Sequence, residues 1–167
     1  MRYFRLSAIL VIVLFVFTSC SWEKVVEEDR LVKETKEEAE QFFEYLKNEE
    51  ADNLSSLFCD EKQNEHDLDT EWKHFFDQLN DKFVSYDNIE TMVTQRSVYD
   101  GKIERLDVSV TFTNIKMKSG KEYRKMGYYK IVKSDVFPEK IGIGTVKLTL
   151  SNDDEELKQI GVGSDQK

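Results

Sequence analysis

This sequence holds one proline, two cysteines, two histidines and seven glycines among 167 residues, and each scarcity excludes something. Two cysteines cannot make a four-thiolate zinc site or a disulfide framework. Seven glycines, none clustered before a Lys-Ser/Thr pair or around a serine, leave no phosphate-cradling loop and no nucleophile elbow. Basic residues are outnumbered, 24 Lys+Arg against 33 Asp+Glu, for a net charge of −9. A chain this acidic lacks the positive footprint that nucleic acid requires, so no nucleic-acid partner is expected. Scarce proline and glycine beside eleven Phe and seven Tyr argue against disorder and for a packed core.

The first twenty residues read as an address. Arg2 and Arg5 precede an apolar run from Leu6 to Phe17, and Thr18-Ser19-Cys20 follows. Positive start, short apolar core and small-residue exit form a secretory signal. Twelve residues are too few for a comfortable membrane span, which takes roughly 20. The exit resembles the processing site of bacterial lipoproteins, with Phe17 where that pattern usually has leucine. Cys20 is then the lipidated residue: its sulfur accepts a diacylglycerol, it becomes the new N-terminus, and its acyl chains hold the protein to a membrane. Removing residues 1–19 takes away two arginines and no acid, so 22 basic and 33 acidic residues remain, a charge of −11. Anionic headgroups repel such a chain, which leaves the lipid as the tether. The expected location is the outer face of the cytoplasmic membrane of a Gram-positive cell. The residue after Cys20 is Ser21, not Asp, so outer-membrane sorting stays open in a host that has an outer membrane. With Cys20 lipidated, only Cys59 remains and no internal disulfide is possible.

The expected order is a signal peptide at 1–19, a lipidated tether at 20–32, one domain at 33–163 and a tail at 164–167. Val25, Val26, Leu31 and Val32 leave part of the tether open to helix. Helical spacing of Val32, Thr35, Ala39, Phe42, Phe43 and Leu46 predicts a helix to Asn48. Ala51–Phe58 reads as a second helix facing inward through Leu54, Leu57 and Phe58, and Asp60–His66 as a polar loop. A start signal at Asp67-Leu68-Asp69-Thr70 opens a third helix, with Leu68, Trp72, Phe75, Phe76 and Leu79 on one face. The period then becomes two. Lys82–Tyr86 is a short strand. Ile89–Val98 and Ile103–Met117 form a hairpin across Tyr99-Asp100-Gly101-Lys102, whose Asp-Gly supplies positive φ angles. Tyr123–Lys133, Gly142–Leu150 and Leu157–Val162 read as further strands, with turns at Ser119-Gly120 and Pro138. Three helices followed by five or six antiparallel strands predict an α+β domain, with helices packed on one face of a curved sheet.

This order resembles the cystatin-like, nuclear-transport-factor-2-like cone. The stretches Phe43-Glu44-Tyr45-Leu46-Lys47-Asn48, Asn53-Leu54-Ser55-Ser56-Leu57-Phe58, Asp67-Leu68-Asp69 opening the Trp72/Phe75/Phe76 helix, Val84-Ser85-Tyr86, Tyr123-Arg124 and Pro138 to Gly142 also resemble a narrower group. It consists of small uncharacterised lipoproteins of Gram-positive bacteria that carry a domain of unknown function. The resemblance covers roughly residues 33–163 and rests on core and turn residues, so it implies fold and compartment and no active-site residue.

Candidate sites each compete with a structural reading. His66 and His74 lie eight apart with no further ligands converging, and surface positions account for both. Asp67, Asp69 and Glu71 look like the start of a calcium loop, but the glycine and distant glutamate of an EF-hand are missing, and helix capping explains them better. Asp153, Asp154, Glu155 and Glu156 form a solvated charge run. Cys59 reads as a small buried hydrophobe, since Asp60 and Glu61 would disfavour its thiolate. Cone-fold isomerases pair a carboxylate base with a tyrosine or protonated acid in a pocket. Tyr123, Tyr128 and Tyr129, with Asp107 and Glu122, are the strand residues from which such a pair would be drawn.

The sequence therefore predicts a membrane-tethered, non-catalytic domain that binds a small ligand or a protein, without cofactor or metal. A pocket enzyme of isomerase or hydrolase type is the second reading. A protein-interaction role, such as shielding the cell surface from a secreted toxin, is the third, its acidity suiting a basic partner.

Overall fold

The structure, a computed structural model, describes residues 26–100, 102–149 and 159–163. The signal peptide, Cys20, the Asp153–Glu156 run and the 164–167 tail lie outside the described residues.

Helix α1 occupies 26–48. It buries Leu31, Thr35, Ala39, Phe42, Phe43 and Leu46, a stripe of threes and fours that faces the sheet. The buried Thr35 hydroxyl donates to the Leu31 carbonyl at 2.8 Å, so it carries no desolvation debt. Residues 26–32, expected in the tether, are helical, and Leu31 belongs to the core. The helix closes on Glu49 at φ 58°. Glu50 N–H reaches the Tyr45 carbonyl and Glu49 N–H the Leu46 carbonyl, the paired bonds of a Schellman end.

Helix α2 is Ala51–Ser55, α3 is Asp60–Glu65 and α4 is Leu68–Leu79. Two expectations need correction. The second helix stops at Ser55, because Leu57–Cys59 is drawn against the sheet: Ile143 N–H donates to Leu57 O at 3.0 Å and Cys59 N–H to Ile143 O at 3.1 Å. The stretch read as a polar loop, Asp60–His66, contains α3. That helix buries no residue, so it lacks the apolar period by which a helix is found in sequence. α4 is as expected: Asp67 caps its start by accepting from Thr70 N–H at 3.2 Å, and Asn80 ends it at φ 47°.

Six strands form one curved, open antiparallel sheet: β1 Phe83–Ser85, β2 Asn88–Tyr99, β3 Lys102–Met117, β4 Glu122–Ser134, β5 Gly142–Thr149 and β6 Gln159–Val162. β3 is the spine. One of its edges carries both β1, near Met117, and β2, from Thr113 to Lys102; its other edge pairs with β4. β4 pairs with β5. The far edge of β5 is covered by β6 at Val146–Thr149 and by the Phe58 bridge at Ile143. The α+β class read from the element order therefore holds, with four helices in place of three among the described residues.

Alternation decides which face the helices cover. Leu106, Val108, Val110 and Phe112 of β3 are buried, and the residues between them are half-exposed. On the inner face Phe42 lies 4.9 Å from Tyr128 and 6.0 Å from Phe112, ring centre to ring centre, and Phe43 lies 4.6 Å from Tyr86. Each fully buried aromatic of this kind stabilises the fold by about 1.5–3 kcal/mol. No described helix is long and apolar enough to cross a membrane.

Candidate functional site

Two of the sheet's irregularities build a cleft on its outer face. The β3–β4 register shifts between Leu106 and Asp107, and the β4–β5 register between Tyr129 and Lys130. Such bulges bend a strand and re-aim its side chains. Here they leave a hollow of about 290 Å³ roofed by α3 and the 3-10 turn Pro138–Lys140. Asp107, Tyr129 and Ile131 come from the sheet, Glu61 and Lys62 from α3, Lys140 from the turn, and Gly142 and Gly144 from β5. Lys140 fastens the roof, with its ammonium 3.4 Å from Glu61 and 5.5 Å above the centre of the Phe137 ring.

The two glycines serve different ends. Gly142 has φ 130°, and a Cβ there would sit 2.6 Å from the Cys59 nitrogen; only glycine lets the two backbones meet. A Cβ at Gly144 would meet nothing within 4 Å, so this glycine leaves the cleft wall open.

Asp107 is the acid that the sequence offered as a base, and the structure brings it to the same cleft as Tyr129. It is already engaged. Arg105 Nε donates to Oδ1 and Nη2 to Oδ2, both at 2.8 Å. The pairing pushes the Arg105 pKa up, and a forked pair of this kind engages both carboxylate oxygens. The other candidates are not brought together. Tyr128 faces the inner core, where burial raises its pKa. Tyr123 is raised by burial and then by Asp81. Glu122 is exposed at the start of β4.

Lys130 follows the second bulge and points inward to α1, where it contacts Glu38. Burial pulls its pKa down to about 8. The Glu38 carboxylate works against that pull, but its side chain is 49% exposed, so water weakens the offset.

A second hollow, of about 380 Å³, lies between α2, α3 and the start of α4 and includes Ser55, Gln63, His66 and Asp69. Serine, histidine and acid share this wall without forming a triad. Ser55 Oγ donates to Asp69 Oδ1 at 2.5 Å. His66 Nδ1 lies 2.8 Å from Glu71 Oε1, and its Nε2 lies 3.3 Å from Lys62 Nζ. Glu71 Oε2 accepts from Gly163 N–H at 2.7 Å. His66 is thus no plain surface residue, whereas His74 is exposed. The three acids read as a calcium-loop start do three separate jobs: Asp67 caps α4, Asp69 holds Ser55, and Glu71 ties His66 to the end of β6. The hydrogen bonds to Thr70 lower the Asp67 pKa, as expected of a cap. No metal-binding cluster occurs among the described residues. Cys59 is buried, as a small hydrophobe would be.

Missed by sequence reasoning were Arg105, Ile131, Lys140 and the two β5 glycines. Arg105-Leu106-Asp107, opposite charges two apart on a strand, was the one local signal.

A comparison with curated proteins gives no match. Residues 41–160 match the family described as Domain of unknown function (DUF5104), a span that takes in α2–α4 and nearly all of the sheet, and the chain belongs to that family.

Proposed function

We propose that this protein is a lipid-anchored lipoprotein on the extracytoplasmic side of a cell membrane, with a non-catalytic domain of the cystatin-like, nuclear-transport-factor-2-like cone type that binds a small ligand in its outer-face cleft. The Leu6–Phe17 run ending at Cys20 supports the anchor. Helices grouped before a curved, open sheet support the cone. The observation that carries the binding role is the cleft at the β3–β4–β5 bulges, where an exposed aromatic wall, Tyr129, and a glycine-lined side meet a rim of both charges. Such a mixture suits a small polar molecule with one flat apolar face. A pocket enzyme would need an acid ready to take a proton, and Asp107 is occupied by Arg105.

Full-length protein extracted from membranes, examined by native mass spectrometry after incubation with cell extract, tests the reading. A bound small mass that disappears in Gly144→Leu, a change that fills the cleft, supports it. A bound mass indifferent to Gly144→Leu would place the ligand elsewhere. Labelled palmitate that enters the parent and not Cys20→Ser checks the anchor.

A further inference from the structure

Nine large hydrophobic side chains are conspicuously exposed among the described residues, and six of them, Val26, Val98, Tyr99, Val136, Phe137 and Ile141, gather at one end of the molecule. The registers establish that end. Val98 pairs with Ile103 and Tyr99 with Lys102 at the tip of the β2–β3 hairpin. Asp135 N–H bonds the Glu104 carbonyl at 2.9 Å, which places Val136 and Phe137 beside that tip. The start of α1 is pinned to the same end: Lys133 lies 3.0 Å from Glu27, and Arg96 contacts Glu28. Val26 therefore joins the group.

We infer that this apolar end rests on the lipid bilayer. The inference builds on the lipid anchor proposed above. Cys20 is six residues before Val26, and six residues span at most about 20 Å, so acyl chains at Cys20 hold this end, and not the opposite one, against the interface. An amphipathic surface kept at such a distance inserts at a high effective concentration and needs little intrinsic affinity. The local charges permit shallow contact at the interface and oppose deep insertion. Arg96, Lys133, Arg105 and Lys140 are each paired with an acid, which lessens the cost of bringing them to a low-dielectric boundary. Asp100, Glu104, Asp135 and Glu139 leave no positive excess, so burial of side chains and not attraction to anionic headgroups holds the surface down.

The test uses full-length lipidated protein with Cys59→Ala, reconstituted into phosphatidylcholine vesicles. An environment-sensitive fluorophore is placed on Val136→Cys or, some 50 Å of strand away, on Lys118→Cys. The expected result is a blue-shifted emission and a several-fold loss of iodide quenching at 136, with neither change at 118. Equal quenching at the two positions would overturn the inference, as would shielding at 136 that appears only in native membranes, which would assign this end to a protein partner. The intact mass separates the two failures. Protein without diacylglycerol on Cys20 sinks the anchor and the inference with it, whereas lipidated protein with a water-exposed Val136 position sinks the inference alone.

Discussion

The Glu71 carboxylate accepts the backbone N–H of Gly163 at 2.7 Å across 92 residues of sequence. A side chain on α4 thereby holds the end of the last strand, and through its other oxygen it also holds His66. Glu71→Ala should cost about 1–3 kcal/mol, the usual loss for a charge-assisted bond to a half-buried donor. The loss should be local as well. Hydrogen exchange should show protection falling at Ile160–Val162 well before it falls in β4, and Glu71→Gln, which can still accept from Gly163, should keep most of it.

Gly142 and Gly144 lie two apart in one strand and should respond oppositely to the same change. Gly142→Ala forces a positive φ on alanine and drives its Cβ into the Cys59 backbone, at an expected cost of about 2–4 kcal/mol. Gly144→Ala enters open space and should shift stability by under about 0.5 kcal/mol. Thermal melts of the two variants decide the matter.

Lys130 predicts a dependence on pH. Its folded pKa, about 8, is depressed from the ordinary lysine value of 10.5. Between those values the unfolded chain binds the extra proton, so stability from this group rises as pH rises from about 8 toward 10.5 and is lowest, and flat, below 8. Lys130→Met removes the buried ammonium and leaves Glu38 able to take up water. The variant should be more stable than the parent by roughly 1–3 kcal/mol at pH 7. The gap should narrow by pH 10 in denaturant titrations; a gap independent of pH would remove the explanation.

Glu49 holds a left-handed backbone that glycine adopts more readily. Glu49→Gly keeps the helix-ending bonds of α1, loses only an exposed pair with Lys82, and should gain about 0.5–1 kcal/mol, seen as a raised Tm.

Much of this architecture is legible in the residues, and the misses have two causes, a missing apolar period and pairing with distant strands. α4 declares itself by its apolar stripe and by Asp67, and the β2–β3 hairpin by Asp100-Gly101. α3 could not, since Asp-Glu-Lys-Gln-Asn-Glu buries nothing. Ala51–Phe58 looked wholly helical because its apolar spacing suits a helix, but a partner 85 positions away, Ile143, captures Leu57–Cys59. The cleft was hidden for the same reason. Asp107 and Tyr129 are visible as chemical types, but their meeting depends on two register shifts that no local pattern encodes. The core was readable from composition and period because packing follows from both.

The long reach of the tertiary ties bears on how the chain acquires its fold. Glu27 meets Lys133 across 106 residues, Glu71 meets Gly163 across 92, and Phe42 finishes its packing only against Tyr128. Some partners of the early segments thus arrive only with β4 and with the end of β6. Such distant ties form late, because a long intervening loop must first be closed. For a chain exported unfolded from its N-terminus, as proposed here, that order matters: α1 can meet α4 and β3 early, but the core closes only once β4–β6 follow, so the last stage of folding waits for the far side of the membrane.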